Sequence, residues 1–403
     1  MEHLTAPRPD IKAPLPVLGD PPQLLVDVSD IIRHDPGTGI QRVVRNLTRE
    51  LLCLESRQWR VEPVYVWRGR YYYARRFARQ LASLPPHQQG LPDGPVGVQR
   101  GDHFLGLDWA QPMLRDAEQQ LLDWGRMGVT RSVVVYDLLP LQLPHHFPAG
   151  VSEETVDWLQ RLCRCSDQLL AISATVADDV NAWLDDHKPA RRPAVTHFVL
   201  GGDLDALNAP PAAPDPTLVN AIQTRFTVLM VGTLDVRKGH RQALAAAELL
   251  WRRGEQFNLV IVGRQGAAMA DVVDRIHQQQ NASPCPPLFW LNQATDAHLS
   301  WLYQHSDLLL AASEGEGYGL PLIEAARQGL PILARDLPVF REVAGGGARF
   351  FSGNAAPSLA DALSEQLHNP SPRAATKLGH MGSIATWADS ARDLLSRISD
   401  SPA

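Results

Sequence analysis

The sequence predicts an α/β protein of two doubly wound domains, each built on a parallel sheet. Short apolar runs alternate with segments of helical spacing along most of the chain, which is typical of βαβ units. A proline-rich stretch at 208–218, NAPPAAPDPTL, interrupts this alternation, which then starts again. With 403 residues, the chain is also too long for one ordinary hydrophobic core.

The first domain is predicted over residues 23–207, after a loose leader at 1–22 that is rich in proline. The segment 39–55 has helical spacing, because its apolar residues recur on one face. The strands of this domain are predicted at 23–30, 61–67, 102–108, 131–137, 167–173 and 195–203.

The second domain is predicted over residues 208–375, and a further helical segment lies within 376–403. Helices are predicted at 238–254, 318–329 and 358–369. Trp387, Leu394 and Ile398 form an apolar stripe in the last segment, although its own sheet has already received a covering helix. The strands are predicted at 226–233, 257–263, 287–291, 306–313, 330–334 and 348–351.

Composition excludes several classes of function. The hydrophobic fraction of 44% and the charged fraction of 20% are those of an ordinary globular protein, and a net charge of -6 argues against a nucleic-acid binder. No apolar run approaches the roughly 20 residues of a membrane helix. The four cysteines form no CxxC pair. We therefore expect a protein of the reducing cytoplasm without a zinc site.

The stretch SEGEGYGLPLIEAARQGLPIL (313–333) carries two glutamates, Glu316 and Glu324, at the point where a strand gives way to a helix. Ligands of parallel sheets bind beyond the carboxyl ends of the strands. Glycines and the first amides of a helix suit a phosphate, and carboxylates accept bonds from hydroxyl groups. The combination predicts a nucleotide-sugar site. The alternative is one glutamate that favours the helix dipole and another on the surface.

Two adjacent cations occupy the corresponding position after the first strand of the same domain. Arg237 and Lys238 stand in VGTLDVRKGHRQ, between a strand and a helix. They suit a diphosphate and would stabilise the charge that builds on a departing nucleoside diphosphate. The alternative is a basic turn in solvent.

Other nucleotide-binding classes fit less well. GTGIQR lacks the third glycine of a dinucleotide-binding fingerprint, since Arg42 stands there, and no GxxxxGK[ST] motif is present. No cluster of carboxylates or histidines has metal-ligand spacing in the sequence. We expect neither a metal nor another cofactor.

A basic and aromatic segment, WRGRYYYARRFARQLASL, covers residues 67–84. Such segments contact anionic membrane surfaces. They also stack on sugars or form a surface hairpin and helix. The candidates for contact with an acceptor or a membrane are Arg70, Tyr72, Arg75 and Arg76.

These motifs resemble those of the retaining GT-B glycosyltransferases of family four, which include bacterial mannosyltransferases and other polysaccharide-assembling enzymes. SEGEGYGLPLIEA resembles the family's S-x-x-E-G-F-G-L-P-x-x-E-A, and VGTLDVRKGH resembles V-G-T-L-E-P-R-K-N-H. DVSDIIRHDPGTGIQRVVRNL, VVVYDLLPLQLP, AISATVADDV and VLGGDL resemble further family segments in the expected order. The resemblance spans roughly residues 24 to 395.

The resemblance implies a role for each candidate residue. Where the family often has His-Asp, this chain has Tyr136 and Asp137, so a histidine-assisted step is not expected. The implied contacts are Glu316 with the donor sugar near its reacting carbon, Gly317, Tyr318, Gly319 and Leu320 with the diphosphate or hexose, Glu324 with the ribose, Arg237, Lys238 and Gly39 with the phosphates, and Asp137 with the sugar or acceptor.

The implied fold is GT-B, with two Rossmann-like domains facing a cleft and the last helix crossing back to the first domain. The implied reaction is transfer of a hexose, with retention, to a glycan or lipid-linked glycan in bacterial surface polysaccharide synthesis, for example of lipopolysaccharide. GDP-mannose is the leading donor, and a 6-deoxyhexose donor such as GDP- or dTDP-rhamnose is the first alternative. A nucleotide-sugar epimerase and a non-catalytic GT-B partner subunit are further alternatives. The enzyme would be cytoplasmic or peripheral on the inner membrane.

Overall fold

The computed structural model describes residues 21–35, 37–54, 58–82, 91–108, 111–204, 212–281, 287–373 and 384–399, without the side chains of 111–114. The chain forms two compact units. The N-terminal unit comprises the described residues up to Leu200 together with those from Trp387 onward, and the C-terminal unit runs from Gly201 to Thr386. The predicted leader at 1–22 lies, up to residue 20, outside the described residues.

The N-terminal unit contains a seven-stranded sheet in the order β3-β2-β1-β4-β5-β6-β7. All neighbouring strands are parallel except β2 and β3, which form an antiparallel hairpin at the edge. The second strand of this hairpin, and the helix that follows it, lie in the basic and aromatic segment, for which a hairpin and helix was one of the predicted alternatives. The strands are β1 (Gln23–Asp27), β2 (Arg60–Trp67), β3 (Arg70–Tyr73), β4 (His103–Gly106), β5 (Thr130–Val135), β6 (Gln168–Ala171) and β7 (Ala194–His197).

Helices cover this sheet. This is expected because its strands are nearly continuous apolar runs, and such strands are buried on both faces. The core is formed by apolar residues of the strands together with Leu121, Trp124, Leu159 and Trp183 from the helices. The helices are α1 (Gly39–Cys53), α2 (Arg75–Leu81), α3 (Gln111–Arg126), α4 (Leu139–Gln142), α5 (Val151–Cys165) and α6 (Ala174–His187).

The C-terminal unit contains a six-stranded, wholly parallel sheet in the order β10-β9-β8-β11-β12-β13. The strand order reverses direction between β8 and β11, and in such sheets this is where ligands bind. The strands are β8 (Phe226–Val231), β9 (Phe257–Val262), β10 (Leu288–Leu291), β11 (Leu308–Ala311), β12 (Ile332–Arg335) and β13 (Arg349–Phe351).

The predicted linker at 208–218 is partly helical. Residues 208–211 lie outside the described residues, but Pro216 begins a helix, and the Asp215 side chain accepts a hydrogen bond from Thr217 N at 2.8 Å. Proline is well tolerated at the first helical position because a backbone N–H there would have no acceptor within the helix, and proline has none. The helices of the unit are α7 (Pro216–Thr224), α8 (His240–Arg252), α9 (Ala270–Gln280), α10 (Asp296–His305), α11 (Leu320–Arg327), α12 (Pro338–Ala344) and α13 (Ala356–His368).

The last helix, α14 (Trp387–Ser399), belongs to the N-terminal unit, where it packs against α1. Its buried residues include Trp387 and Leu394, the apolar stripe noted in the sequence. Polar contacts fix the helix as well. Ser390 Oγ donates to Val199 O at 2.6 Å, and Asp393 Oδ2 accepts from Val199 N at 3.0 Å. The predicted return of the final helix to the first domain is therefore observed.

We expect Leu394→Ala to destabilise the N-terminal unit by about 2–5 kcal/mol, because it leaves a cavity between α14 and its neighbours. Urea unfolding measures the free energy, and hydrogen exchange of the α1 amides locates the effect. Arg392→Ala on the exposed face is the control and should change stability by less than about 0.5 kcal/mol. Unchanged exchange in α1 in the Leu394→Ala variant would contradict this role for the helix.

Candidate active site

The site is built from two loops at the carboxyl ends of β8 and β11, the strands at the reversal of the C-terminal sheet. The loop after β11 covers residues 312–319 and leads into α11. Gly319 at its end has a φ of 104°, and a Cβ there would lie 2.8 Å from a ring carbon of Phe340. Only glycine fits this position, because both the conformation and the space exclude a side chain.

The loop after β8 forms a 3-10 turn over Val236–Lys238. The Asp235 carboxylate caps this turn by accepting from Arg237 N at 3.2 Å. Gly239 follows with a φ of 73°, and a Cβ there would lie 2.2 Å from Ala312 O. The glycine thus lets the turn that carries both cations press directly against the end of β11.

An ion-pair cluster joins the two loops. Lys238 Nζ lies 2.5 Å from Glu316 Oε1, and Arg237 Nη1 lies 3.7 Å from Glu316 Oε2. Ser313 Oγ donates to Glu316 Oε1 at 2.6 Å. The side chains of Glu316, Lys238 and Arg237 are 13%, 19% and 22% exposed, so the charges are mostly withdrawn from water. The structure therefore brings together the three residues at the centre of the sequence-based hypothesis.

Backbone contacts hold the same loops in register. Glu314 N donates to Arg237 O at 2.7 Å, and Arg237 Nη1 donates to Gly315 O at 3.4 Å. These bonds tie the main chain of one loop to the residue that supplies a cation from the other. Because both loops are held by their backbones, the positions of Glu316 and Lys238 are set by the fold rather than by their mutual attraction alone.

Electrostatics keep Glu316 ionised despite its burial. Burial alone would raise the pKa of the Glu316 carboxyl. The charges of Lys238 and Arg237, together with hydrogen bonds from Lys238 and Ser313, outweigh burial and lower the pKa below its usual value. The carboxylate is thus available as a hydrogen-bond acceptor at neutral pH.

A pocket lies beside the cluster, within the C-terminal unit, and occupies about 350 Å³ including its opening to solvent. His240, which is 2% exposed, contributes to its wall. Burial and the charge of Lys238 lower the pKa of His240 to about 4, so the imidazole is neutral at pH 7. Further residues that line the pocket are Met230, Leu310, Ser313, Glu316, Pro321 and Phe340.

His240 was not among the residues predicted from the sequence, although it lies two positions after Lys238 and begins α8. That position was the available signal, since the first residue of a helix at a sheet's carboxyl edge commonly borders a ligand site.

Glu324 lies in a buried environment within the C-terminal unit. Glu316 precedes α11, whereas Glu324 lies within it, so the two carboxylates do not share a helix face. Glu324 is 2% exposed, and its Oε2 accepts a hydrogen bond from Tyr303 Oη at 2.7 Å. Its contact with a ribose stays a prediction. Gly317 and Tyr318 lie in the loop before the helix, which begins at Leu320 and not at the predicted residue 318.

The other predicted donor residues belong to the N-terminal unit. Gly39 is the first residue of α1, and it is the neighbouring Gly37 that has a positive φ, of 69°. The predicted contact of Gly39 with the donor phosphate stays a prediction. Asp137 follows β5, and its Oδ1 accepts from Leu139 N at 3.1 Å. Tyr136 is buried and donates to Leu107 O at 2.7 Å, and burial raises its pKa well above the usual value.

The basic and aromatic segment divides into a buried and an exposed part. Arg75 is only 4% exposed, and its guanidinium donates to both oxygens of Glu62 at 3.0 Å. It therefore does not lie on the exposed surface that the predicted contact with an acceptor or membrane requires. This bidentate ion pair offsets the desolvation of the buried guanidinium. Arg70 and Arg76 are exposed and Tyr72 is half-buried, and their contact with an acceptor or membrane stays a prediction.

Known proteins resemble this chain both in its C-terminal part and over most of its length. Residues 219–379 match the family of glycosyl transferases group 1, so the chain carries a glycosyltransferase group 1 domain. Over 385 residues, or 93% of its length, the chain is 38% identical to the serotype-specific mannosyltransferase WbdA of Escherichia coli. This match covers 45% of WbdA, so the chain spans about half the length of the curated relatives it matches.

Solved structures confirm the predicted fold class. HepE of Anabaena in complex with UDP-glucose aligns with a TM-score of 0.59 at 15% identity, over 93% of this chain and 94% of that one. Sucrose-phosphate synthase from Thermosynechococcus elongatus aligns with a TM-score of 0.58 at 18% identity, over 94% and 98%. Among the described residues, no helix has both the length and the apolar character needed to cross a bilayer.

The lowered pKa of Glu316 gives a test of the cluster. A carboxylate with a depressed folded-state pKa contributes stability above its unfolded pKa, and this is lost as the pH falls through the folded pKa. Lys238→Met removes the charge that lowers the pKa of Glu316 most. The pKa should therefore rise, and the loss of stability on acidification should begin at higher pH. Carbon NMR of the Glu316 carboxyl group from about pH 3 to pH 7 measures the change.

Lys238→Arg is the matched control, because it keeps a cation at the same position. Its titration should stay close to that of the wild type. Identical titration of Glu316 in Lys238→Met and in the wild type would show that the ion pair does not set its protonation.

Proposed function

We propose that the chain is a glycosyltransferase that moves a hexose from a nucleoside-diphosphate donor to a glycan or lipid-linked glycan acceptor, with retention of configuration. The observation that carries the proposal is the cluster of Lys238, Arg237 and Glu316 at the ends of β8 and β11. It combines two cations for a diphosphate with an ionised carboxylate for sugar hydroxyls, at the switch point of a parallel sheet.

The two cations have a direct role in the proposed reaction. As the bond between carbon 1 of the sugar and the diphosphate oxygen breaks, negative charge builds on the departing nucleoside diphosphate. Lys238 and Arg237 are fixed before the donor arrives, so they stabilise this charge without reorganisation. No metal ion is part of the proposal, because these side chains and the first amides of α11 supply the positive potential.

Glu316 has a second function in the proposal. Its carboxylate accepts a hydrogen bond from a hydroxyl of the donor sugar and so orients the reacting carbon. In the structure the carboxylate is occupied by Lys238 and Ser313. Both of these bonds are made to Oε1, so Oε2 is the oxygen proposed to accept from the sugar hydroxyl while Lys238 stays in place.

GDP-mannose is the proposed donor and mannose the sugar transferred, which the 38% identity to a protein described as a mannosyltransferase supports. The solved HepE complex contains UDP-glucose, so a nucleotide sugar as donor is in keeping with the fold. A 6-deoxyhexose donor is the second candidate. We further propose surface polysaccharide synthesis in the cytoplasm as the setting, with the exposed Arg70 and Arg76 facing an anionic acceptor or membrane.

A panel of nucleotide sugars tests the proposal by thermal shift and by transfer to mannose-containing glycan acceptors. A donor at 100 times its dissociation constant should add about 2.7 kcal/mol to the free energy of unfolding. We expect GDP-mannose to give the largest shift. A larger shift with GDP- or dTDP-rhamnose would favour the 6-deoxyhexose donor, and no shift with any nucleotide sugar would overturn the proposal.

Glu316→Gln supplies the negative control for transfer. It removes the charge but little volume, so we expect the fold to persist while turnover falls by about 100-fold or more. Glu365→Gln, an exposed glutamate of α13 paired with Arg349, is the matched substitution and should leave turnover unchanged. Normal turnover in the Glu316→Gln variant would contradict the assigned site.

A further inference from the structure

Arg335 is a buried cation that no part of the sequence analysis used. It ends β12, beside the end of β11, and is 5% exposed. A charged residue in the interior carries a large desolvation cost unless hydrogen bonds offset it. Its presence at the end of β12, beside the strand that leads into the Glu316 loop, therefore calls for a physical reason.

The guanidinium of Arg335 is bonded to the first two residues of the Glu316 loop. Its Nε donates to Ser313 O at 2.9 Å and to Ala312 O at 3.2 Å, and its Nη2 donates to Ala312 O at 3.0 Å. The planar fork of arginine binds two neighbouring carbonyl groups at a fixed angle, which a lysine cannot do. Arg335 thus fixes the direction in which the chain leaves β11.

The remaining donors of Arg335 reach two further elements of the unit. Nη2 donates to Gln242 Oε1 on α8 at 2.5 Å. Nη1 donates to Gly353 O at 2.8 Å and to Asn354 Oδ1 at 2.7 Å, both in the loop before α13. All of these acceptors are neutral, and the charge of Glu314 also acts on the guanidinium, so the hydrogen bonds orient the group while a nearby carboxylate favours its charged form. One side chain therefore couples the Glu316 loop to α8, which begins two residues after Lys238.

The loop is held from both sides. On one side, the turn with Arg237 and Gly239 packs against Ala312 and bonds to Glu314 N. On the other, Arg335 holds Ala312 and Ser313. Ser313 is itself the hydrogen-bond donor to Glu316. A shift of Ser313 would thus move the Glu316 carboxylate relative to Lys238.

We propose that Arg335 is a positioning residue of the transfer reaction, which holds the Glu316 loop so that Glu316 and Lys238 meet the donor in fixed geometry. This inference rests on the proposed function. A displacement of about 1 Å at a reacting group lowers turnover by up to about 100-fold, so loss of this anchor should affect turnover strongly.

Arg335→Met in the full chain tests this role. We expect kcat to fall by about 10-fold or more, with a smaller change in KM for the donor. Glu316 is faced by Lys238 and Arg237, and the nearby His240 is neutral. As the loop loosens, burial is less well offset and the pKa of Glu316 rises, so the acid limb of kcat/KM should move to higher pH. Hydrogen exchange of residues 313–319 should accelerate more than that of the rest of the sheet.

Arg131→Met is the matched control, because Arg131 is also buried but bonds Asp167 and Leu121 O in the N-terminal unit. It should lower the melting temperature without moving the acid limb or the exchange of 313–319. If Arg335→Met does not fold, Arg335→Lys replaces it, since lysine keeps the charge but not the fork, and the same shifts are expected.

The outcomes separate this inference from the proposed function. A lower melting temperature with unchanged kcat, acid limb and loop exchange would overturn the positioning role of Arg335. Absence of transfer by the wild type with every donor would count against the proposed function, and in that case faster exchange of 313–319 in Arg335→Met, but not in Arg131→Met, would still support the anchor.

Discussion

The contact between Lys238 and Glu316 joins two loops that are 78 residues apart in the chain, and the arrangement of the candidate site depends on it. Two charges that are largely withdrawn from water are stable only as a well-formed pair. Removal of Lys238 leaves Glu316 with the more distant Arg237 as its cation, and removal of Glu316 takes from Lys238 the carboxylate that offsets its burial. The pair therefore fixes the protonation of the carboxylate and the position of the cation together, before any ligand is present.

The backbone allows this pair because glycines stand where the loops approach most closely. Gly239 lets the turn after β8 lie against Ala312, and Gly319 lets α11 begin beside Phe340. Arg335 then holds the carbonyl groups at the start of the loop from the neighbouring strand. The loop that carries the Glu316 carboxylate is therefore held by main-chain contacts, at the carboxyl edge of the parallel sheet.

The sheets were predictable because a parallel strand covered on both faces is an apolar run with polar residues at its ends. β8 and β11 lie at their predicted positions for this reason. The loops that follow them meet because both leave the sheet at its carboxyl edge. A hairpin was one of the alternatives for the basic and aromatic segment, but the burial of Tyr71 and Tyr73 in the core was not predicted, because the sequence presents them among arginines. The pairing of Arg75 with Glu62 and the burial of Glu324 against Tyr303 depend on tertiary contacts that spacing does not reveal.

A crystal structure of the full chain with GDP-mannose tests the central claim most directly. The account predicts that the diphosphate lies within hydrogen-bond distance of Lys238 Nζ and the Arg237 guanidinium, with a sugar hydroxyl donating to Glu316. A diphosphate bound away from both cations, with the Lys238–Glu316 contact unchanged, would contradict the assignment of this cluster as the donor site.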